Sequence, residues 1–116
     1  MTLPTESTNR WQLHDAINDG IHFDWAAGRL EIHLTVPASS DNRGVLQSID
    51  AADVTLLRCP RVQPWGPSKY INSVTGPSLV ETTGHVTSLK IEMQSGDEID
   101  IEASSITITT RGSSTR

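Results

Sequence analysis

Alternation is the feature that most limits what this chain can become. From Ile17 onward apolar and polar residues swap at nearly every step, as in Ile21-His22-Phe23-Asp24-Trp25 and Glu98-Ile99-Asp100-Ile101-Glu102. A period of two marks strands with one face in the core and one in water, because successive side chains project to opposite sides of a pleated sheet. Clusters of Gly, Pro, Asn and Asp interrupt the pattern at intervals of about ten residues, the spacing of a sandwich or barrel. Candidate strands run over Ile17–Trp25, Arg29–Val36, Val45–Ile49, Val54–Cys59, Lys69–Val74, Leu79–Thr83, Val86–Met93, Glu98–Ala103 and Ile106–Thr110. Leu46–Leu57 alone has a helical alternative, and Val54, Thr55 and the flanking aspartates argue against it. The expected fold is all-β, an antiparallel β-sandwich or open barrel of about eight strands with little or no helix. There is no internal repeat or long linker, so residues 11–111 read as one domain between polar tails at 1–10 and 112–116.

A chain of 116 residues buries roughly two-thirds of its unfolded surface and needs no metal or disulfide to hold a core. Its single cysteine, Cys59, rules out an intrachain disulfide, fits a reducing compartment and reads as a small buried residue. No apolar run approaches the roughly 18 residues of a membrane span, and Met1–Arg10 lacks the apolar stretch of a signal peptide. A cytoplasmic location with no membrane partner is therefore expected. Net charge is −5, from 14 acidic and 9 basic residues. Arg29, Arg43, Arg58, Arg61, Lys69 and Lys90 are scattered, whereas a nucleic-acid partner requires a basic patch to displace counterions. Nucleic acid is excluded as a partner on this ground.

Keeping the apolar residues of each hairpin on one face sets an expected register. In the first hairpin Trp25 would oppose Leu30 across the loop Ala26–Arg29, with Gly28 supplying the unusual backbone angle. His22 then faces His33, and Asp24 faces Glu31. Two imidazoles and two carboxylates are suitable ligands for zinc or another divalent ion; the same residues also suit a solvated sheet face. In the second hairpin Met93 would oppose Ile99 across a turn containing Ser95, Gly96 and Asp97. Glu98, Asp100 and Glu102 then line up with Gln94, Glu92 and Lys90 as an acidic stripe. Such a stripe either steers a basic protein partner or keeps the sheet soluble.

The segment Pro60-Arg61-Val62-Gln63-Pro64-Trp65-Gly66-Pro67-Ser68 cannot be an inner strand, because its prolines restrict φ and lack donors. It presents Trp65 on a stiff turn, either as a pre-ordered contact or as a plug closing the core. No catalytic residues are expected: the chain lacks a GxSxG, a phosphate-binding glycine loop and a CxxC. His14-Asp15 has none of the helices from which metal phosphohydrolases draw their remaining ligands. Cys59 has no adjacent histidine to activate it.

Leu13-His14-Asp15-Ala16, Asp24-Trp25, Pro64–Ser68 with Ile71-Asn72, and Glu92–Asp97 together resemble a small uncharacterised bacterial protein family, over most of Leu13–Ala103. That resemblance implies no activity. More loosely, the polar lead, the Leu-His-Asp start and the acidic β body are similar to bacterial toxin-immunity proteins. The expected function is a non-catalytic, immunity-like protein-interaction module that binds a protein partner through Trp65, Glu92, Glu98, Asp100 and Glu102. The alternatives are a metal- or ligand-binding β protein using His22, Asp24, Glu31 and His33, and a homodimer paired along the edge strand Ile106–Thr110.

Overall fold

The computed structural model describes residues 11–37, 44–80 and 84–113. The expected tail 1–10, residues 114–116 of the tail expected at 112–116, and residues 81–83 of the strand expected at Leu79–Thr83 lie outside these. Eight strands form: β1 (Ile17–Asp24), β2 (Arg29–Pro37), β3 (Gly44–Ala52), β4 (Leu56–Arg58), β5 (Ile71–Leu79), β6 (Thr87–Met93), β7 (Glu98–Ala103) and β8 (Ser105–Ser113). They build two antiparallel four-stranded sheets, ordered β1-β2-β3-β8 and β4-β7-β6-β5, with no helix among the described residues. The all-β expectation holds. β8 extends to Ser113, past the expected domain end at residue 111. The helical alternative at Leu46–Leu57 resolves into β3, a turn and β4.

The core lies between the sheets and is built from the inward members of each alternating strand. Leu30, Ile32, Leu34, Ile49 and Ala51 from the first sheet meet Ile71, Leu89, Ile91, Ile99, Ile101 and Ala103 from the second. Leu13 and Ala16, ahead of β1, close one corner. There Ile71 N–H donates to the Ala16 carbonyl at 2.8 Å and Asp15 N–H to the Ile71 carbonyl at 2.8 Å, which ties the β1 edge to the β5 edge. At the opposite side the chain steps from β7 into β8 through Ser104 alone. Its N–H and hydroxyl both donate to the Ala52 carbonyl, at 2.9 and 3.0 Å.

Both hairpin registers depart from expectation by two residues while the faces stay correct. Phe23 opposes Leu30, His22 opposes Glu31 and Gly20 opposes His33. Ile91 opposes Ile99, Lys90 opposes Asp100, Glu92 opposes Glu98 and Ser88 opposes Glu102. In each case the loop keeps its expected length but slides by one position. The loops are Trp25–Gly28 and Gln94–Gly96, and each ends on a glycine at positive φ, 67° for Gly28 and 94° for Gly96. The left-handed residue belongs last in such loops, where it returns the chain to the ladder. Asp24 fixes the first loop by accepting Ala27 N–H at its carboxylate (3.2 Å) and Gly28 N–H at its carbonyl (2.9 Å). The second closes through Met93 N–H to the Asp97 carbonyl, 2.8 Å.

One further expectation is corrected. The strand expected over Lys69–Val74 and the start of the one at Leu79 are a single strand, β5, interrupted where Gly76-Pro77 shifts the pairing with β6. Proline has no N–H to give the ladder, so the local pattern reads as a break although the strand resumes beyond it.

Candidate functional site

The site is best built from Asp97, the last residue before β7. The residue is 6% exposed, and its carboxylate accepts Val62 N–H at 2.8 Å, Gln63 N–H at 2.9 and 3.1 Å, and the Ser95 hydroxyl at 2.7 Å. Donors to the ionised form stabilise it. The Ser95 hydroxyl foremost, with the two backbone amides and the Arg61 charge beside it, holds the Asp97 carboxyl below the usual carboxylate range. Through Asp97 the β6–β7 turn grips the segment Pro60–Ser68. Trp65 N–H adds a bond to the Ser95 carbonyl at 3.0 Å, and Gly66 N–H closes the tight turn on the Gln63 carbonyl at 3.0 Å.

Of the two roles open to Trp65, core closure is excluded. The residue is 72% exposed. Its indole lies over the β6–β7 turn, so close to Gly96 that a Cβ there would sit 3.0 Å from Trp65 Cδ2 and 2.9 Å from Pro64 Cγ. Val62 and Tyr70 are also exposed. The result is an apolar cap with a fixed backbone at one end of the hairpin that carries the acidic stripe.

The stripe itself, Glu92, Glu98, Asp100 and Glu102, lies on the outer face of β6–β7 as expected, but it is better neutralised than expected. Arg58 on β4 pairs with Asp100 at 3.1 Å and Lys90 with Glu98 at 3.4 Å, while Glu92 accepts the Ser73 hydroxyl at 3.1 Å. Asp100 is consequently the best paired of the four, with its side chain 23% exposed. Glu92 and Glu98 still face each other directly.

The residues expected to bind metal share the outer face of the first hairpin without converging. His22 and His33 lie diagonally, their ring centroids 4.6 Å apart. His33 Nε2 meets Glu31 Oε1 at 3.0 Å, and this bond, ahead of the nearby histidine and arginine charges, lowers the Glu31 carboxyl below its usual range. Asp24 is committed to its own turn. Among the described residues no three His, Cys, Asp or Glu side chains are gathered as a metal site. His14 is likewise occupied structurally, its Nδ1 2.8 Å from the Asn72 carbonyl.

Behind Trp65 the same loop roofs an open cleft of about 750 Å³ between β1 and the β6–β7 hairpin, with Ile21, Met93 and Ile99 among its lining residues. Cys59, expected to be buried, is exposed and lines this cleft. Asp97, Gly96, Arg61 and Lys69 stand in the sequence only as turn residues and scattered charges, with no mark of a shared site. Only the loop glycine was detectable, through the turn chemistry of Ser95-Gly96-Asp97. The grip of Asp97 spans 34 to 35 residues and leaves no local signature.

Comparison with known proteins found no matching family, no matching curated protein and no matching solved structure. No helix of the described residues is long and apolar enough to cross a membrane.

Proposed function

We propose that the protein is a non-catalytic interaction module, immunity-like in genre, that binds a basic protein partner. The observation carrying this reading is an indole 72% exposed on a backbone pinned by Asp97 and Ser95. A large rigid side chain held in place before contact loses little entropy on binding and is typical of hot spots. The acidic face beside it supplies long-range attraction for a cationic surface and orients its approach. The test is Trp65→Ala against the partner retained from host extract by the immobilised wild-type protein. Folding stability should change by less than about 0.5 kcal/mol, as for an exposed side chain. Affinity should fall by about 30-fold, through faster dissociation, as for an anchor of about 2 kcal/mol. Unchanged dissociation would remove Trp65 from the interface and defeat this reading.

A second reading, homodimerisation, is favoured by a comparison of the sheet edges. β4 has three residues and runs towards Pro60, β5 is interrupted at Gly76-Pro77, and β1 is bulged at Asp19 and partly covered by Lys69 and Ile71. β8 is nine residues long, pairs on one side with β3 only, and carries one charge, Arg111. An open edge rich in Ile and Thr is suited to pairing with a second copy. Sedimentation equilibrium at micromolar concentrations should then show a dimer that Thr107→Lys/Thr109→Lys converts to monomer. A wild-type monomer throughout would end this alternative.

A further inference from the structure

The cleft behind Trp65 exists because the second sheet runs out of chain. β4 stops at Arg58, so the strand β7 has no neighbour beyond Asp100 on that side. The chain then leaves as the proline-rich loop instead of continuing the sheet, and the loop arches back to Lys69 beside β1, where Asn18 N–H donates to the Lys69 carbonyl at 2.8 Å. Between roof and sheets, Ile21, Met93, Ile99, Tyr70 and Pro67 leave mostly apolar walls. The Cys59 thiol belongs with them. Partial shielding from water by the cleft walls first, and the Asp97 charge second, push it up from its ordinary value.

The charges at this cleft run against those of the rest of the molecule. The protein carries −5 overall, yet Arg61 and Lys69 both line the cleft, and neither forms an ion pair with another described residue. The acidic group present, Asp97, has both oxygens engaged by backbone amides and the Ser95 hydroxyl. Its oxygens are filled by the loop, so although the Arg61 charge lies near enough to act on it, neither cation is bonded to it. A volume of about 750 Å³ falls within the range of about 300–1,000 Å³ typical of small-molecule sites, which combine apolar walls with a few fixed polar groups.

We propose that this cleft binds a small amphipathic carboxylate, its apolar body against Ile21, Pro67 and Tyr70 above Met93 and its anionic head at Arg61 and Lys69. A guanidinium matches a carboxylate in two parallel hydrogen bonds, and an ammonium adds a point charge. The apolar contact supplies most of the affinity and the cations supply the choice of head group.

The chain contains two methionines, Met1 and Met93, so a methyl-labelled methionine sample gives the cleft its own reporter. Decanoate serves as the anionic probe and decanol as its uncharged match. Decanoate should shift the Met93 methyl signal saturably and leave Met1 in place. Decanol should bind at least about tenfold more weakly, the value of one charge-assisted contact, and Arg61→Gln/Lys69→Gln should weaken decanoate by at least about tenfold. Both replaced side chains are exposed, and an unchanged melting temperature verifies the variant's fold. A Met93 signal unmoved by decanoate at about 1 mM, weaker than any useful small-ligand affinity, would overturn the proposal. Equal binding of decanol, or full binding by the double variant, would overturn it as well.

Discussion

One carboxylate organises the Trp65 end of this protein. Asp97 accepts from two amides of a loop that has no regular secondary structure, and without it those N–H groups would have no partner in the protein. Its native-state affinity for protons is lowered, so the unfolded chain binds a proton more readily. The resulting stability is fully present above the unfolded carboxylate value of about 3.9 and is lost as pH falls through the lower folded value. Asp97→Asn should therefore melt at lower temperature than wild type near neutral pH, with the gap closing as both proteins are taken below about pH 4. Melting curves of the two proteins from acid to neutral pH check this; a gap that widens in acid would contradict the assignment. Gly96→Ala probes the same contact from the other side. It combines a positive φ with a Cβ 3.0 Å from the Trp65 ring, and should cost more than about 1 kcal/mol by denaturant unfolding. It should also displace the indole, which tryptophan fluorescence would register.

At the scale of elements, alternation located the strands because burial in β2, β6 and β7 repeats with period two, and the inward set of Leu89, Ile91, Ile99 and Ile101 can be read directly from it. The same period leaves register undetermined in steps of two, since a two-residue slip keeps every side chain on its face. Both hairpins slipped by that amount. The missing constraint was local: Gly28 and Gly96 each had to be the last residue of their loop. The slip changes which side chains are neighbours: Asp24 no longer opposes Glu31, His22 lies diagonal to His33, and Asp100 gains a lysine opposite it. At the interruption in β5, Pro77 broke the pattern without ending the strand. The packing argument predicts that Ile91→Ala, at the centre of this sheet and opposite Ile99, costs about 2–5 kcal/mol in urea unfolding, the range for an isoleucine removed from a close-packed core. A cost below about 1 kcal/mol would mean that the core is looser than its burial implies.

For the molecule as a whole, strand count and class followed from the sequence, but the division of strands between the sheets did not. That division rests on contacts such as Ser104 with Ala52 and Ile71 with Ala16, which join residues more than fifty positions apart. The same long-range assembly turns a scattered set of charges into opposed faces: Glu92, Glu98, Asp100 and Glu102 outside the second sheet, and Arg61 with Lys69 at the cleft. The acidic face is the larger feature and has two available explanations, attraction of a basic partner or protection against sheet-edge association. Charge reversal separates them if it avoids the paired group. Asp100 is held by Arg58, so its reversal would place a lysine against a guanidinium and confuse stability with binding. Glu92→Lys/Glu102→Lys leaves that pair and the Lys90–Glu98 pair intact and should alter stability by no more than about 1 kcal/mol. A steering face predicts that this variant associates more slowly with the partner. It also predicts that the rate loses most of its dependence on salt, because screening acts on the long-range attraction that has been removed. A Trp65 anchor predicts that dissociation is nearly unchanged. Stopped-flow association rates for wild type and variant over a range of ionic strength decide the matter. Parallel salt dependences for the two proteins would assign the acidic face to solubility alone and leave the Trp65 cap as the whole of the interface.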